Sequence, residues 1–148
     1  MLKNKFMEMA LQQAKIAFAK DEVPVGAVIV ENGEIIAASH NKNRESNDCC
    51  AHAEILVLRE ACAKKKSSRL DGLDLYVTLE PCAMCAAAIS LAKIRNLYYA
   101  CADEKFGAVE NGVRFFSSKS CFYKSEIYSG ICEDEAKKLM QEFFKSKR

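Results

Sequence analysis

Two short segments carry side chains with the types and spacing for chemistry: Ala51-His52-Ala53-Glu54 and Pro81-Cys82-Ala83-Met84-Cys85. Cys82 and Cys85 are three residues apart, so in the first turn of a helix they share one face. Pro81 suits a helix start because it has no N–H to lose. The positive end of the helix dipole favours thiolates at that place. Alone, the Cys-x-x-Cys pair reads equally as a redox pair or as metal ligands. Joined by His52, it becomes two thiolates and an imidazole, a ligand set suited to zinc with a fourth position open to water. Structural zinc sites usually show four Cys or His ligands. This chain has only two histidines, and His40, in a polar stretch, offers no obvious fourth ligand. Zinc brings the pKa of bound water down to about 7. A carboxylate alongside, here Glu54, can take the water's proton and deliver it to a leaving group. Such a set suits hydrolysis at an amidine-like carbon, as in a nucleobase bearing an exocyclic amine. A lone His-x-Glu at a helix start is ordinarily a capped surface pair. Together, each opening a helix, the two segments are far more specific.

These segments need elements to position them. Leu2, Phe6, Met9 and Ile16 recur at helical spacing, interrupted by Gln13, and predict an amphipathic helix over 2–20 with Pro24 at its exit. Val25 to Val30 reads as a buried strand, Glu31-Asn32-Gly33-Glu34 as a hairpin turn, and Ile35 to Ser39 as the returning strand. Residues 40–50 are polar and read as a loop. A helix then begins near His52, carried by Ala51, Ile55, Leu58 and Cys62, and ends in Lys64-Lys65-Lys66. Leu73 to Leu79 reads as a strand. Residues 82–92 are apolar on almost every face, which predicts a helix buried on all sides. Asn96 to Cys101 reads as a strand, 102–124 shows no clear pattern, and 125–128 reads as a short strand. In the final helix Ala136, Leu139, Met140, Phe143 and Phe144 share a face. Glu133, Asp134 and Glu135 open it, and Lys145, Lys147 and Arg148 close it, an order that suits the helix dipole. About five strands covered by helices make a layered α/β domain. The stretch after Cys101 is long enough for a crossover, which leaves a parallel last pair open.

The length of 148 residues fits one domain, 1–148, able to bury roughly 70% of its unfolded surface without disulfide staples. Half the chain is apolar and 28% is charged, which excludes a mostly disordered chain. No uncharged apolar run approaches the roughly 20 residues of a membrane span, and charges scattered through the first twenty residues exclude a secretory signal. A cytoplasmic location follows as the expectation, with the eight cysteines as thiols or ligands rather than disulfides. A net charge of +2 excludes a nucleic-acid binder working by bulk charge, though not a local basic patch.

The chain resembles the zinc-dependent cytidine/adenosine deaminase superfamily, whose signature is H-x-E…P-C-x-x-C. Glu22-Val23-Pro24-Val25-Gly26-Ala27-Val28, Ala51-His52-Ala53-Glu54-Ile55 and Leu75-Tyr76-Val77-Thr78-Leu79-Glu80-Pro81-Cys82-Ala83-Met84-Cys85-Ala86 resemble its bacterial tRNA-acting members. The likeness covers most of residues 6–146 and weakens between about 108 and 124. It implies a three-layer α-β-α sandwich around a mostly five-stranded mixed sheet. It implies one Zn2+ per subunit on His52, Cys82 and Cys85, and Glu54 as proton shuttle. Asn41 would meet the target base, Val25 would line its pocket, and Asp103 would lie near the substrate backbone, where a ribose 2′-OH is a natural partner. Phe144 reads two ways, as an aromatic near the bound loop or as core packing.

The implied reaction is deamination of adenosine to inosine at the wobble position of a tRNA anticodon, in a homodimer. Lys145, Lys147 and Arg148 are candidate phosphate contacts, whereas the 64–66 run reads better as a solvated helix end. A free nucleobase or nucleoside deaminase acting on guanine, cytosine or cytidine would share every zinc residue. A noncatalytic RNA-binding module with a structural zinc is the alternative from another class, and Glu54 fits it poorly. One departure stands out. The family usually has Asp-Pro-Thr-Ala-His before the glutamate, and this chain has Asp48-Cys49-Cys50-Ala51-His52. The two thiols read as inert small residues, as an oxidation-sensitive pair, or as competitors for metal.

Overall fold

A computed structural model describes residues 4–147. Leu2 and Arg148, used above in reading the first and last helices, lie outside the described residues. The elements run α1 (Lys5–Ala19), β1 (Gly26–Glu31), β2 (Glu34–His40), α2 (Asn43–Ser46), α3 (Ala53–Lys65), β3 (Asp74–Leu79), α4 (Ala83–Ala92), β4 (Asn96–Cys101), a 3-10 turn (Phe115–Ser117), β5 (Glu126–Ser129) and α5 (Glu133–Lys145). The five strands form one sheet in the order β2-β1-β3-β4-β5. β1 pairs antiparallel with β2 and β3, whereas β3–β4 and β4–β5 are parallel. The last pair is therefore parallel, with α4 and then residues 102–125 as the crossovers between parallel strands. In the β1–β2 hairpin Asn32 and Gly33 both carry positive φ, as the tight turn needs.

Strand alternation sorts the core into two layers. Ala27, Ile29, Leu75, Val77, Leu97 and Tyr99 face one way and pack with Val57, Leu58 and Ala61 of α3 and Ile89 of α4. Val28, Val30, Tyr76 and Ala100 face the other way and pack with Met7, Ala10 and Leu11 of α1 and Ala136 of α5. This is the expected three-layer sandwich.

Two helices bury a different face from the one their larger apolar residues predict. In α1 the buried stripe is Met7, Ala10, Leu11, Ala14 and Ala17, while Met9 and Ile16 are exposed. The reason is closeness. A Cβ placed on Gly26 of β1 would collide with the Ala10 carbonyl oxygen and the Ala14 backbone nitrogen. Where the helix crosses Gly26 its face is alanine, while Met7 and Leu11 are buried elsewhere along the stripe and Met9 and Ile16 turn outward. The correction to α4 is larger. Its Cys85, Ala86, Ile89, Ser90 and Ala92 are buried, but Ala83 is exposed and Leu91 is 62% exposed, so the helix is not covered on all sides. The polar stretch 40–50 also holds more than loop: His40 ends β2, and α2 makes one helical turn.

The unpatterned stretch after β4 is organised by one carboxylate. Glu80, 2% exposed, follows β3 directly. Its Oε1 accepts from the Asp103 backbone N–H (3.0 Å) and the Asn111 side-chain amide (2.7 Å). Its Oε2 accepts from the backbone N–H groups of Val109 (3.0 Å), Glu110 (2.9 Å) and Asn111 (3.0 Å). Burial pushes this carboxyl's pKa up, but the hydrogen bonds from Asp103, Asn111 and Glu110 outweigh burial and hold it below the usual carboxylate range. The loop passes so near that a Cβ on Gly107 would meet both the Asp103 carbonyl and the Glu80 carboxylate. Residues 121–123 are held in the same manner by buried Ser90 of α4. Its hydroxyl accepts from the N–H groups of Phe122 (2.9 Å) and Tyr123 (2.8 Å) and donates to the Tyr123 carbonyl (3.0 Å).

Gly26→Ala forces α1 off the sheet and costs about 3 kcal/mol of stability, read as a lowered urea midpoint. Glu80→Gln turns an N–H2 group against N–H donors and also costs about 3 kcal/mol. Amide hydrogen exchange should then speed up at Val109, Glu110 and Asn111. Unchanged exchange there would remove Glu80 as the loop's organiser.

Candidate active site

The two segments singled out by their chemistry each end at a helix start. His52 is the N-cap residue of α3 and Cys82 that of α4. Neither side chain caps its helix. At α3 Asn41 does so instead, accepting the Ala53 N–H on its Oδ1 at 2.7 Å. The imidazole is thereby left free to meet the cysteines. His52 Nδ1 lies 3.7 Å from Cys82 Sγ and 3.5 Å from Cys85 Sγ. Around a tetrahedral zinc, with Zn–S of about 2.3 Å and Zn–N of about 2.0–2.1 Å, a sulfur-to-nitrogen edge is about 3.6 Å. Both distances fit, and the donors are of the right chemistry. His40 is not in the group. Its ring contacts the Asn41 carbonyl at the end of β2.

The trio is electrostatically poised. Cys82 is pulled down to about 4, chiefly by a hydrogen bond from the Cys85 thiol and also by one from His52, against the opposing effect of burial. Cys85 is pushed far up by the same bond to Cys82 and by burial. Glu54, in the first turn of α3, is only 4% exposed. Burial pushes its carboxyl up to about 7. A carboxyl with that affinity for protons can both take one and give one near neutral pH.

His52, Glu54 and Cys82 line a cleft of about 1180 Å³. Val25, Asn41, Asp103 and Phe144, each expected at the site, line it too. Phe144 is 49% exposed, so its ring belongs to the cleft wall and not to the core, which takes Phe143 instead. Asp103 has a structural task as well. Its Oδ1 accepts the N–H groups of Lys105 (3.1 Å) and Phe106 (3.0 Å) and so shapes the loop at the cleft's rim.

Among the cleft residues that sequence reasoning missed, three stand out. Phe106, 66% exposed, presents its ring from that rim loop. A phenylalanine directly after the charged run Asp103-Glu104-Lys105 was the signal. Glu22 is buried and accepts the N–H groups of Arg44 (3.1 Å) and Glu45 (2.7 Å), fixing α2 at the cleft. Asp21 pairs with both Arg44 and Lys147. Nothing local in the sequence announces these last two, because their partners are distant in the chain. Lys147 is thus joined to Asp21, and Lys64 and Lys65 are tied to Glu60 and Glu31. Lys66 and Lys145 are exposed.

A family model for MafB19-like deaminases matches residues 1–148. The tRNA-specific adenosine deaminase of Agrobacterium fabrum is 56% identical over 97% of this chain and 94% of its own length. The one from Bacillus subtilis is 40% identical over 97% and 89%. A solved structure from biochemical and structural studies of A-to-I editing by tRNA:A34 deaminases at the wobble position of transfer RNA superimposes with a TM-score of 0.91. It is 55% identical and covers 93% of this chain and 99% of that one. A guanine deaminase from Nitrosomonas europaea superimposes with a TM-score of 0.80 at 26% identity, over 93% and 82%. With its zinc-type donor trio, buried glutamate and five-stranded sandwich, the chain belongs to the MafB19-like deaminase family.

Proposed function

We propose that this chain, as one domain spanning 1–148, deaminates adenosine to inosine at the wobble position of a tRNA anticodon. The carrying observation is the cleft. It brings His52, Cys82 and Glu54 together with Phe106 and Phe144, two exposed rings. Its volume of about 1180 Å³ exceeds the ~300–1,000 Å³ that suits a small ligand. A free base would leave much of it empty, whereas a splayed anticodon loop presents several unstacked bases to aromatic walls. The 55–56% identities lie with proteins described as acting on tRNA, against 26% and 32% for two guanine deaminases.

His52, Cys82 and Cys85 would hold one zinc ion. When bound, zinc supplies Lewis acidity that makes water a nucleophile near neutral pH. Glu54 takes a proton from the attacking water and passes it to N1 of the adenine, then takes the proton of the hydroxyl added at C6 and delivers it to the amine, which leaves as ammonia as the C6 carbonyl forms. Val25 and Asn41 hold the base, and Asn41 does so while its Oδ1 anchors the first turn of α3. Asp103, on the cleft wall, would accept a hydrogen bond from a ribose hydroxyl. The ring of Phe144 stacks on the loop, and Phe106 is a second platform that stacks on a base beside the target. The apolar exposed side of α4, with Leu91, suits contact with a second copy in a homodimer. Among the described residues no helix is long and apolar enough to cross a membrane, and a tRNA substrate would place the protein in the cytoplasm.

The test is inosine formation in an anticodon stem-loop RNA, with ammonia release from free guanine, cytosine and cytidine measured alongside. Inosine confined to the wobble adenosine supports the reading. Ammonia from a free base without inosine moves the chain to the nucleobase deaminases. Glu54→Ala should keep the metal and the fold but lower turnover about 1,000-fold. Phe106→Ala should weaken stem-loop binding by about 1–3 kcal/mol, with Phe106→Tyr restoring it, as read by titration of labelled RNA.

A further inference from the structure

The two adjacent thiols that replace the family's proline and threonine are not buried filler. Cys49 is exposed and Cys50 half-buried, and their sulfurs lie 3.8 Å apart. Two thiolates on one tetrahedral ion, with metal–sulfur bonds of about 2.3 Å, are separated by about 3.8 Å. A carboxylate completes the group, for the donor atoms of Asp48, Cys49 and Cys50 all lie within 4.8 Å of one another. These three share no residue with the His52–Cys82–Cys85 trio.

The turn that carries them is tied down throughout. Asp48 N–H donates to the Asn43 carbonyl at 3.0 Å, and the Asn43 side-chain amide donates to the Cys49 carbonyl at 3.0 Å. Cys50 N–H donates to Asp48 Oδ1 at 2.9 Å, Ala51 N–H to the Asp48 carbonyl at 3.2 Å, and His52 N–H to the Cys50 carbonyl at 2.8 Å. The backbone that carries the donors is therefore held before any ligand arrives, which lowers the ordering cost of binding. Two thiolates select soft or borderline cations over magnesium or calcium.

We propose that Asp48, Cys49 and Cys50 form a second metal site for a thiophilic divalent cation of the zinc class. The ion would keep at least one water, because the site faces solvent. It would exchange faster than an ion on the enclosed trio. This inference stands on the donor geometry alone and does not depend on the substrate.

Cadmium is the probe, applied to the full chain kept reduced with a phosphine. Bound metal is counted by equilibrium dialysis with elemental analysis and resolved by cadmium-113 NMR. The wild type should bind two ions per chain and give two resonances. Cys49→Ser/Cys50→Ser should bind one, losing one resonance and keeping the other unshifted, which also shows that the variant folds. Excess EDTA should strip the second ion first. A single ion on the wild type overturns the proposal. So does a second ion retained by the double variant, since the ligands would then lie among the other cysteines.

Discussion

The constraint on which this structure turns is the meeting of two helix starts. Three side chains that could hold a metal come from the starts of α3 and α4, and those helices are joined by a loop and β3. An N-cap residue ordinarily spends its side chain on its own helix. His52 and Cys82 cannot do so and still reach each other at 3.7 Å. The unsatisfied N–H at Ala53 is instead taken by Asn41. One amide oxygen thus frees the imidazole and fixes the asparagine at the cleft wall. The sheet order supplies the rest. β1 and β3 are antiparallel neighbours, so Val25, before β1, and Cys82, after β3, emerge close together at one end of these central strands.

The cleft walls are built by buried carboxylates, each spent on backbone N–H groups. Glu80 gathers residues 103–111 beside the cysteines, and Glu22 fixes α2 on the opposite side of the chain's path. A buried charge without partners would be costly, whereas one accepting several N–H groups is stable and directional. This is how segments with little apolar content hold a definite shape. Asp103 repeats the device on a smaller scale and holds up the exposed ring of Phe106.

Packing density shows the same economy. α1 lies against β1 through Ala10, Ala14 and Gly26, with no room for larger side chains, and this close layer supports the strand that leads from Val25. α4 is the opposite case. It has apolar residues to spare on a face that the rest of the described residues leave uncovered. The composition of α4 is that of an interior helix, while its surroundings in one copy are those of a half-covered one.

The donor trio, Glu54, the hairpin turn and the buried strands were legible in the sequence because each rests on local rules: ligand type, three-residue helical spacing, and apolar runs bounded by turn residues. Asn41 and Val25 were legible only through resemblance, since no local pattern marks either. Glu80, Glu22 and Asp21 were invisible, because a carboxylate's role depends on which distant N–H groups or cations the fold brings to it. The face of α1 was misread for a related reason. Hydrophobicity says which residues prefer the interior, but the distance between helix and sheet, set by Gly26, decides how large they can be. The sequence by itself determined which atoms could bind a metal and move a proton. The tertiary structure decided which backbone groups those atoms would serve, because hydrogen bonds and close contacts between remote segments exist only once the chain has folded.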